Sequence, residues 1–387
     1  MSESTFLEKM LDGAEVDWKP LGEVFDVFAG GDVPKEALSK IKTEKFNIPI
    51  LSNGIGGRSL YGWTNIPKVK KPSLTISARG TIGWTSYRTE PFFPIVRLLV
   101  LTPKVEMNLR YYYHFMKTIE NDYKVAPAGI PQLTKPMIKD AQLPIPFPND
   151  PEKSLAIQAE IVRILDTFTE LTTELTTELT DRKKQYNYYR DQLLTFEDGD
   201  VEWKELGNVT EINTGQKPSE ILESATDFDY INAGTSRSGY SANSNCEGDI
   251  VTTPSRGQGG IGYVGYQKEP FWLGALCYKM KSKDKDFLIN KYLYYFLQSK
   301  SELLLGLKKE GGVPAVNKTD LAKLQIPVPS PSEQARIVAI LDKFDTLTHS
   351  ISEGLPREIE QRQKQYEYYR DLLLNFPKSE PQTEIVA

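Results

Sequence analysis

Arginine beside glycine, inside turns rich in serine and threonine, is the chemistry this 387-residue sequence offers most often. Arg58 stands in GIGGRS, Arg79 in SARGT, Arg237 in GTSRSG and Arg256 in PSRGQGG. Arg88 follows in SYRTEP, Lys68, Lys70 and Lys71 crowd PKVKKP, and Lys308 and Lys309 precede a Gly-Gly pair. Glycine lets a backbone come close, and a guanidinium then makes paired hydrogen bonds to a guanine edge or grips a phosphate. Asn53, Asn65, Gln132, Asn232, Asn243, Gln258 and Asn317 add side-chain amides suited to the adenine edge. Each cation alone reads as a solvated surface charge. Their clustering in glycine-rich turns points to nucleic acid.

Reaction chemistry is harder to find. Gly260, Gly262 and Gly265 match G-x-G-x-x-G, yet the following YQKEPFWLGALCYKM is strand-like where a helix should meet a pyrophosphate, so a glycine-rich turn is expected. There is no P-loop string, and no Pro-Pro or Pro-Asp dipeptide to open an adenine-methyltransferase or nuclease motif. Cys246, Cys277, His114 and His349 are the only cysteines and histidines, so a zinc site would need all four to converge. No catalytic residue and no metal site are expected. Two cysteines exclude a disulfide scaffold and fit a reducing cytoplasm. No uncharged stretch approaches the roughly 20 residues that span a bilayer, and the N-terminus lacks a secretion signal, so a cytoplasmic location without a membrane is expected.

The net charge of -5 argues against a nucleic-acid partner until it is resolved along the chain. Residues 19–150 carry 18 Lys+Arg against 11 Asp+Glu, a net of +7, and residues 204–330 carry 15 against 14, a net of +1. The acidic balance sits in residues 1–18, 151–203 and 331–387.

What must position these turns is written twice. VDWKPLGEV at Val16–Val24 returns as VEWKELGNV at Val201–Val209, and LPIPFP at Leu143–Pro148 as LQIPVP at Leu324–Pro329. QAEIVRILDTF at Gln158–Phe168 returns as QARIVAILDKF at Gln334–Phe344, and KKQYNYYRDQLLTF at Lys183–Phe196 as QKQYEYYRDLLLNF at Gln363–Phe376. The stretches between are only faintly alike: SARGTIGWTSYRTEPFF at Ser77–Phe93 answers SRGQGGIGYVGYQKEPFW at Ser255–Trp272. In them IPILS, SLTIS, IVRLLVL, DIVTT and LCYKM read as short strands, and YYYHFMKTI and KYLYYFLQS as one helix each.

The repeated stretches read as helices. Ser330-Pro331-Ser332-Glu333 has the order of a capping box, and Asp150-Pro151 does the same less completely. Ile161, Leu165, Phe168, Tyr186 and Tyr189 in the first copy, and Ile337, Leu341, Phe344, Tyr366 and Tyr369 in the second, fall on an apolar seam of a helix facing a helix. A pseudo-two-fold axis would make the pair antiparallel, and about 40 residues would span roughly 60 Å. Gly354 and Pro356 predict a break in the second copy. Tyr188, Arg190, Tyr368 and Arg370 are left on another face, available to a protein partner. Thr169–Thr180 is TELTTELTTELT, three copies of one tetrapeptide. Each copy adds about 6 Å and about 40° of phase to a helix.

Two variable domains, each opened by the Trp-containing string, closed by IPxP and followed by QxxIVxILDxF and KQYxYYRDxLLxF, resemble the specificity subunit of type I restriction-modification enzymes, and the TELT tract and GLPREIE are similar to its type IC branch. The resemblance covers nearly the whole chain. It implies an α/β (α+β) architecture of two similar target recognition domains joined by a pair of long antiparallel coiled-coil helices. Carried over by position, residues 1–150 would be the first recognition domain, 151–200 the central spacer, 201–329 the second domain, 330–376 the C-terminal spacer and 377–387 a flexible tail.

The resemblance further implies a non-catalytic chain that binds double-stranded DNA, each domain reading one half of an asymmetric split site. The helices would set the gap and dock two modification (methyltransferase) subunits. Those would carry S-adenosylmethionine for adenine methylation, and restriction subunits would use ATP and magnesium to translocate and cleave. No cofactor is expected in this chain itself. Arg58, Lys68, Lys70, Lys71, Arg79, Arg88, Gln132, Arg237, Arg256, Gln258, Lys308, Lys309 and Asn317 are the DNA-binding candidates from chemistry, because base-reading residues do not carry over by position. The alternatives are a stand-alone DNA-acting enzyme, which methyl transfer or cleavage by the pure chain would reveal, and an architectural adaptor, which would make no sequence-dependent contact.

Overall fold

Short, β-branched-rich strands punctuated by glycine and proline dominate the first variable stretch, and they assemble around one buried helix. The computed structural model describes residues 15–125, 130–197, 199–224, 228–257, 259–309, 313–350 and 352–376. Among the described residues nine strands come from the first repeat: β1 (Val16–Pro20), β2 (Phe25–Ala29), β3 (Ile48–Leu51), β4 (Leu60–Thr64), β5 (Ser73–Ser77), β6 (Thr85–Arg88), β7 (Phe93–Pro94), β8 (Leu98–Pro103) and β9 (Gln142–Pro146). They form sheets in the orders β2-β8-β5-β6, β4-β3-β7 and β1-β9. Central β5 is buried along its length. Leu74 and Ile76 face the helix Leu109–Thr118, packing with Tyr111, Tyr112, Phe115 and Met116, so by alternation Thr75 and Ser77 face the opposite side. Asn108 caps that helix by accepting from the amides of Arg110 and Tyr111.

The second repeat lays down β10 (Glu202–Glu205), β11 (Thr210–Thr214), β12 (Phe228–Ile231), β13 (Tyr240–Ser241), β14 (Ile250–Pro254), β15 (Gly265–Gln267), β16 (Trp272–Leu273), β17 (Cys277–Ser282) and β18 (Gln325–Val328). Their orders, β11-β17-β14-β15, β13-β12-β16 and β10-β18, match the first set term for term, including one parallel pair in each small sheet. The helix Asn290–Ser299 takes the place of Leu109–Thr118, burying Tyr292, Leu293, Tyr295 and Phe296. Trp18 pairs with Pro144 and Trp203 with Pro327, so the Trp-containing string and the IPxP string are the two halves of one antiparallel ladder.

The shared helices divide between the units. The chain splits into one compact unit of residues up to Glu174 with those from Ile359 on, and another of Leu175–Glu358. One uninterrupted helix runs Pro151–Leu193 and serves both. Asp150 caps it, accepting from the Lys153 amide at 3.0 Å. The C-terminal copy is broken, as its glycine and proline predict, into helices Pro331–His349 and Gly354–Leu374. Gly354 has a φ of 75°, and a Cβ there would lie 2.5 Å from the Thr346 carbonyl oxygen, so no other residue fits without strain. Ser330 accepts from the Glu333 amide at 3.3 Å, but the Glu333 carboxylate turns to Arg336, leaving the capping box half made.

Within the second unit Tyr186 lies against His349 and Phe344, and Tyr189 stacks on Phe344 with centroids 5.7 Å apart. Partner numbers fall as residue numbers rise, which is antiparallel packing. In the first unit Phe168 stacks on Tyr369 at 5.1 Å. Through the TELT tract the seam is less covered, with Leu171 exposed and Leu175 and Leu179 half-buried.

Candidate nucleic-acid interface

The residue that follows each central strand is set by two backbone bonds common to both units. In the first, the Ala78 amide donates to the Arg97 carbonyl at 2.9 Å and the Leu133 amide to the Ala78 carbonyl at 2.8 Å. In the second, the Ser255 amide donates to the Leu276 carbonyl and the Val316 amide to the Ser255 carbonyl, both at 2.9 Å. Arg79 and Arg256, the next residues, therefore occupy one equivalent place. Arg256 is exposed and bridges to Ala315, and Arg79 is half-buried with a buried Nε that has no partner. Such a donor calls for an incoming acceptor.

Around Arg79 the structure gathers Arg58, exposed in the turn Gly56–Ser59, and exposed Gln132. A Cβ on Gly54 (φ 138°) would lie 2.8 Å from the Arg58 carbonyl oxygen, which keeps that turn tight. Asn53 donates to the Arg79 carbonyl at 2.7 Å, and Asn232 accepts from the Leu276 amide at 2.9 Å. Those two amides are spent on backbone groups of neighbouring segments. Around Arg256 lie Lys308, Lys309 and Asn317: Lys309 bridges to Ala315 and its ammonium pairs with Asp320 at 2.8 Å, while Asn317 precedes the helix Lys318–Ala322. Gln258 lies outside the described residues.

The remaining candidates stand elsewhere. Lys70, Lys71 and Arg88 sit at the opposite end of β5, since Arg88 pairs with Ser73, some 20 Å of extended chain from Arg79. Lys68 reaches over Phe28 and Phe93, 5.8 and 5.9 Å from their centroids. Arg237 lies over Tyr240 at 4.6 Å and 3.3 Å from Asp229. With Asn232, Thr252 and Gln267 it lines a recess of about 390 Å³ in the second unit. The sequence reading missed Gln267. The available signal was its place after tyrosine in YQKEPF, opposite arginine in YRTEPF.

Beneath each interface the buried helix is tied to the spacer by charge. His114, fully buried, bonds Asp166 through Nε2 and Tyr366 through Nδ1, both at 2.9 Å, and Arg110 reaches the same carboxylate oxygen at 2.8 Å. Burial pushes the His114 pKa down against the pull of Asp166. Burial alone would raise Asp166, but its bonds to His114 and the Arg110 charge prevail and hold it below its ordinary value. A neutral imidazole therefore donates Nε2–H to the carboxylate and accepts from the Tyr366 hydroxyl. The second unit repeats the tie with different residues, Lys291 and Tyr295 on Asp342. Gln158 and Gln334 match as well, accepting from the amides of Asn108 and Ile289.

On the helix surface Tyr188 and Tyr368 stand 59% and 65% exposed at matching positions. Arg190 and Arg370 are more covered than their place off the seam implied: each bonds the following aspartate and lies over a seam ring, Tyr186 at 5.7 Å and Tyr366 at 5.8 Å. An arginine stem long enough to fold back on its neighbour's ring explains this. Among the described residues no three His, Cys, Asp or Glu side chains gather into a metal cluster. Cys246 and Cys277 are buried in one apolar cluster, and burial raises the Cys277 thiol to about 12. Among the described residues no helix is long and apolar enough to cross a membrane.

The structure is thus two copies of one α/β scaffold with divergent loops, each tied to the shared helices. The family model for the type I restriction modification DNA specificity domain matches twice, over residues 15–182 and 199–361, and the chain belongs to that family. It is similar to the EcoR124I/EcoR124II type I restriction enzyme specificity subunit of Escherichia coli, 38% identical over 98% of this chain and 99% of that one. A putative type I restriction enzyme specificity subunit of Haemophilus influenzae is 33% identical over 96% and 98%. Among solved structures, the S subunit of a type I restriction-modification system from M. genitalium shares the fold, with a TM-score of 0.65 at 18% identity over 95% of this chain and 98% of that one. The chain is thus a DNA specificity subunit, with the mixed α/β, internally repeated architecture its sequence implied.

Proposed function

We propose that each unit reads one half of an asymmetric, split site in double-stranded DNA, and that the shared helices set the gap and dock two modification subunits. The matched placement of Arg79 and Arg256 carries this reading: one scaffold offers an arginine beside glycine at the same loop junction in both units. Arg58 and Gln132 on one side, and Lys308, Lys309, Asn317 and Gln258 on the other, would complete the two surfaces. Lys68, Lys70, Lys71, Arg88 and Arg237 would extend them toward phosphates and bases. Tyr188 and Tyr368 are the docking anchors for the modification subunits, with Arg190 and Arg370 near them on the helix surface. Those partners would bring S-adenosylmethionine and methylate adenine, and restriction subunits would bring ATP- and magnesium-dependent translocation and cleavage, while this chain catalyses neither. The segments of recognition domain and spacer would follow the repeat, with 19–148 as an exchangeable module.

Replacing residues 19–148 by the corresponding domain of another member, and sequencing the methylation motif of a host that also carries the cognate modification subunit, tests this. One half-site is expected to change and the other to persist. A change in both would show that the units do not read independently.

A further inference from the structure

The register of the two central hairpins puts Arg88 and Gln267 in the same place. Arg88 is paired across its ladder with Ser73, and Gln267 with Ile250. Each then reaches two residues along the neighbouring strand to a buried threonine: Arg88 Nε donates to Thr75 Oγ1 at 3.3 Å, and Gln267 Nε2 donates to Thr252 Oγ1 at 3.1 Å. Tyr87 and Tyr266, one residue earlier, take the opposite face and meet Tyr113 and Tyr294 of the buried helices. Strand alternation therefore turns Arg88 and Gln267 away from the helix and the core packed around it.

That side is partly filled by each unit's smaller apolar cluster, Val100 with Leu98 in the first and Ile250 with Cys277 in the second, and what is left beside it is open or unsatisfied. In the second unit it is the 390 Å³ recess, whose walls include Asn232, Arg237 and exposed Tyr263. In the first unit the longer guanidinium is half-buried, and among the described residues it has no carboxylate partner and no bond from its two terminal nitrogens. A desolvated cation without a counter-charge is costly to the free protein and is relieved by an acceptor brought from outside. A structural arginine would have been given that acceptor by its own fold, as Arg110 was given Asp166.

We propose that Arg88 and Gln267 are paired specificity-determining residues, each held by its threonine and presented to a base edge, Arg88 to the O6 and N7 of guanine and Gln267 to the N7 and N6 of adenine. This rests on the reading that each unit reads one half-site. The constant threonine fixes where the side chain starts, and the residue type decides which donor and acceptor pattern it accepts.

The test uses the chain assembled with the modification subunit of its own system, with the methylated motif read by sequencing. Gln267→Arg is expected to move one base of the second unit's half-site from adenine toward guanine, and Arg88→Gln one base of the first unit's half-site from guanine toward adenine. Discrimination at that base should alter by roughly tenfold to a hundredfold, with every other base kept. The half-site read by the other unit reports in the same molecule that the complex is folded. Should Gln267→Arg not assemble, Gln267→Glu, nearly the same size, is expected to turn the preference to cytosine. An unchanged motif in these variants overturns the proposal. So does a loss spread evenly over all sequences with a shallower salt dependence, which marks a phosphate contact. Neither result touches the two-reader reading, which falls only if exchange of residues 19–148 alters both half-sites.

Discussion

The His114–Asp166–Arg110 tie shows how a single buried residue is held and what removing it should do. Asp166→Ala leaves a buried imidazole and a guanidinium without their acceptor, and a loss of about 3 kcal/mol in the stability of the first unit is expected, measured by urea denaturation. The same tie sets a pH dependence. Unfolded, His114 titrates near its ordinary value of about 6.5, whereas in the fold burial lowers its pKa. As pH falls below that ordinary value the unfolded chain takes up a proton the folded chain does not, so stability declines toward pH 5 by up to about 1.4 kcal/mol per pH unit. Asp166, held low, keeps its contribution above its ordinary value and loses it only at lower pH. His114→Asn is expected to lower the midpoint at pH 7 and to flatten its change between pH 7 and pH 5; an unflattened profile would assign the decline to other groups. Nothing in the sequence marked this network, because its members lie in three separated stretches and its counterpart in the second unit uses lysine and tyrosine instead of arginine and histidine.

Elements were more legible than side-chain roles, for a physical reason. Strand alternation, helix periodicity and caps are local, so SLTIS, DIVTT, YYYHFMKTI and KYLYYFLQS fall where the sequence placed them, and the break before Gly354 follows from its positive φ. The basic loops are local too, but which of them converge depends on backbone bonds between distant segments, such as Leu133 to Ala78 and Val316 to Ser255. That is why Arg79 and Arg256 emerged as equivalents and Lys70 and Lys71 fell at the other strand end. The TELT tract is the element whose length carries function. Its half-covered leucines place few packing demands on copy number, so deleting one TELT unit should leave both readers folded. Each unit contributes about 6 Å of helical rise, and the expected outcome is a gap shorter by about one to two base pairs with both half-sites intact. Methylation-motif sequencing checks this, and altered half-site bases would contradict the spacer role.

For the whole molecule, duplication makes one scaffold present two unlike surfaces, and charge decides how firmly they grip. The segment 19–150 carries a net of +7 while 204–330 carries +1, and the helical stretches between and after them are acidic. Phosphate neutralisation scales with the cations brought to the backbone, so the second reader contributes little of the sequence-independent attraction that supports specific binding. Several of its cations are also paired internally, Lys309 with Asp320 and Lys285 with Asp249 among them. The isolated chain is therefore expected to bind its site weakly and to lose what affinity it has steeply as salt rises. Assembly with modification subunits should restore tight binding by adding their own phosphate contacts. Titrating a labelled duplex with the chain alone and with the assembled complex, at low and at physiological salt, measures both. Tight, salt-insensitive binding by the chain alone would mean that its loops make far more base-edge contact than their charge balance allows.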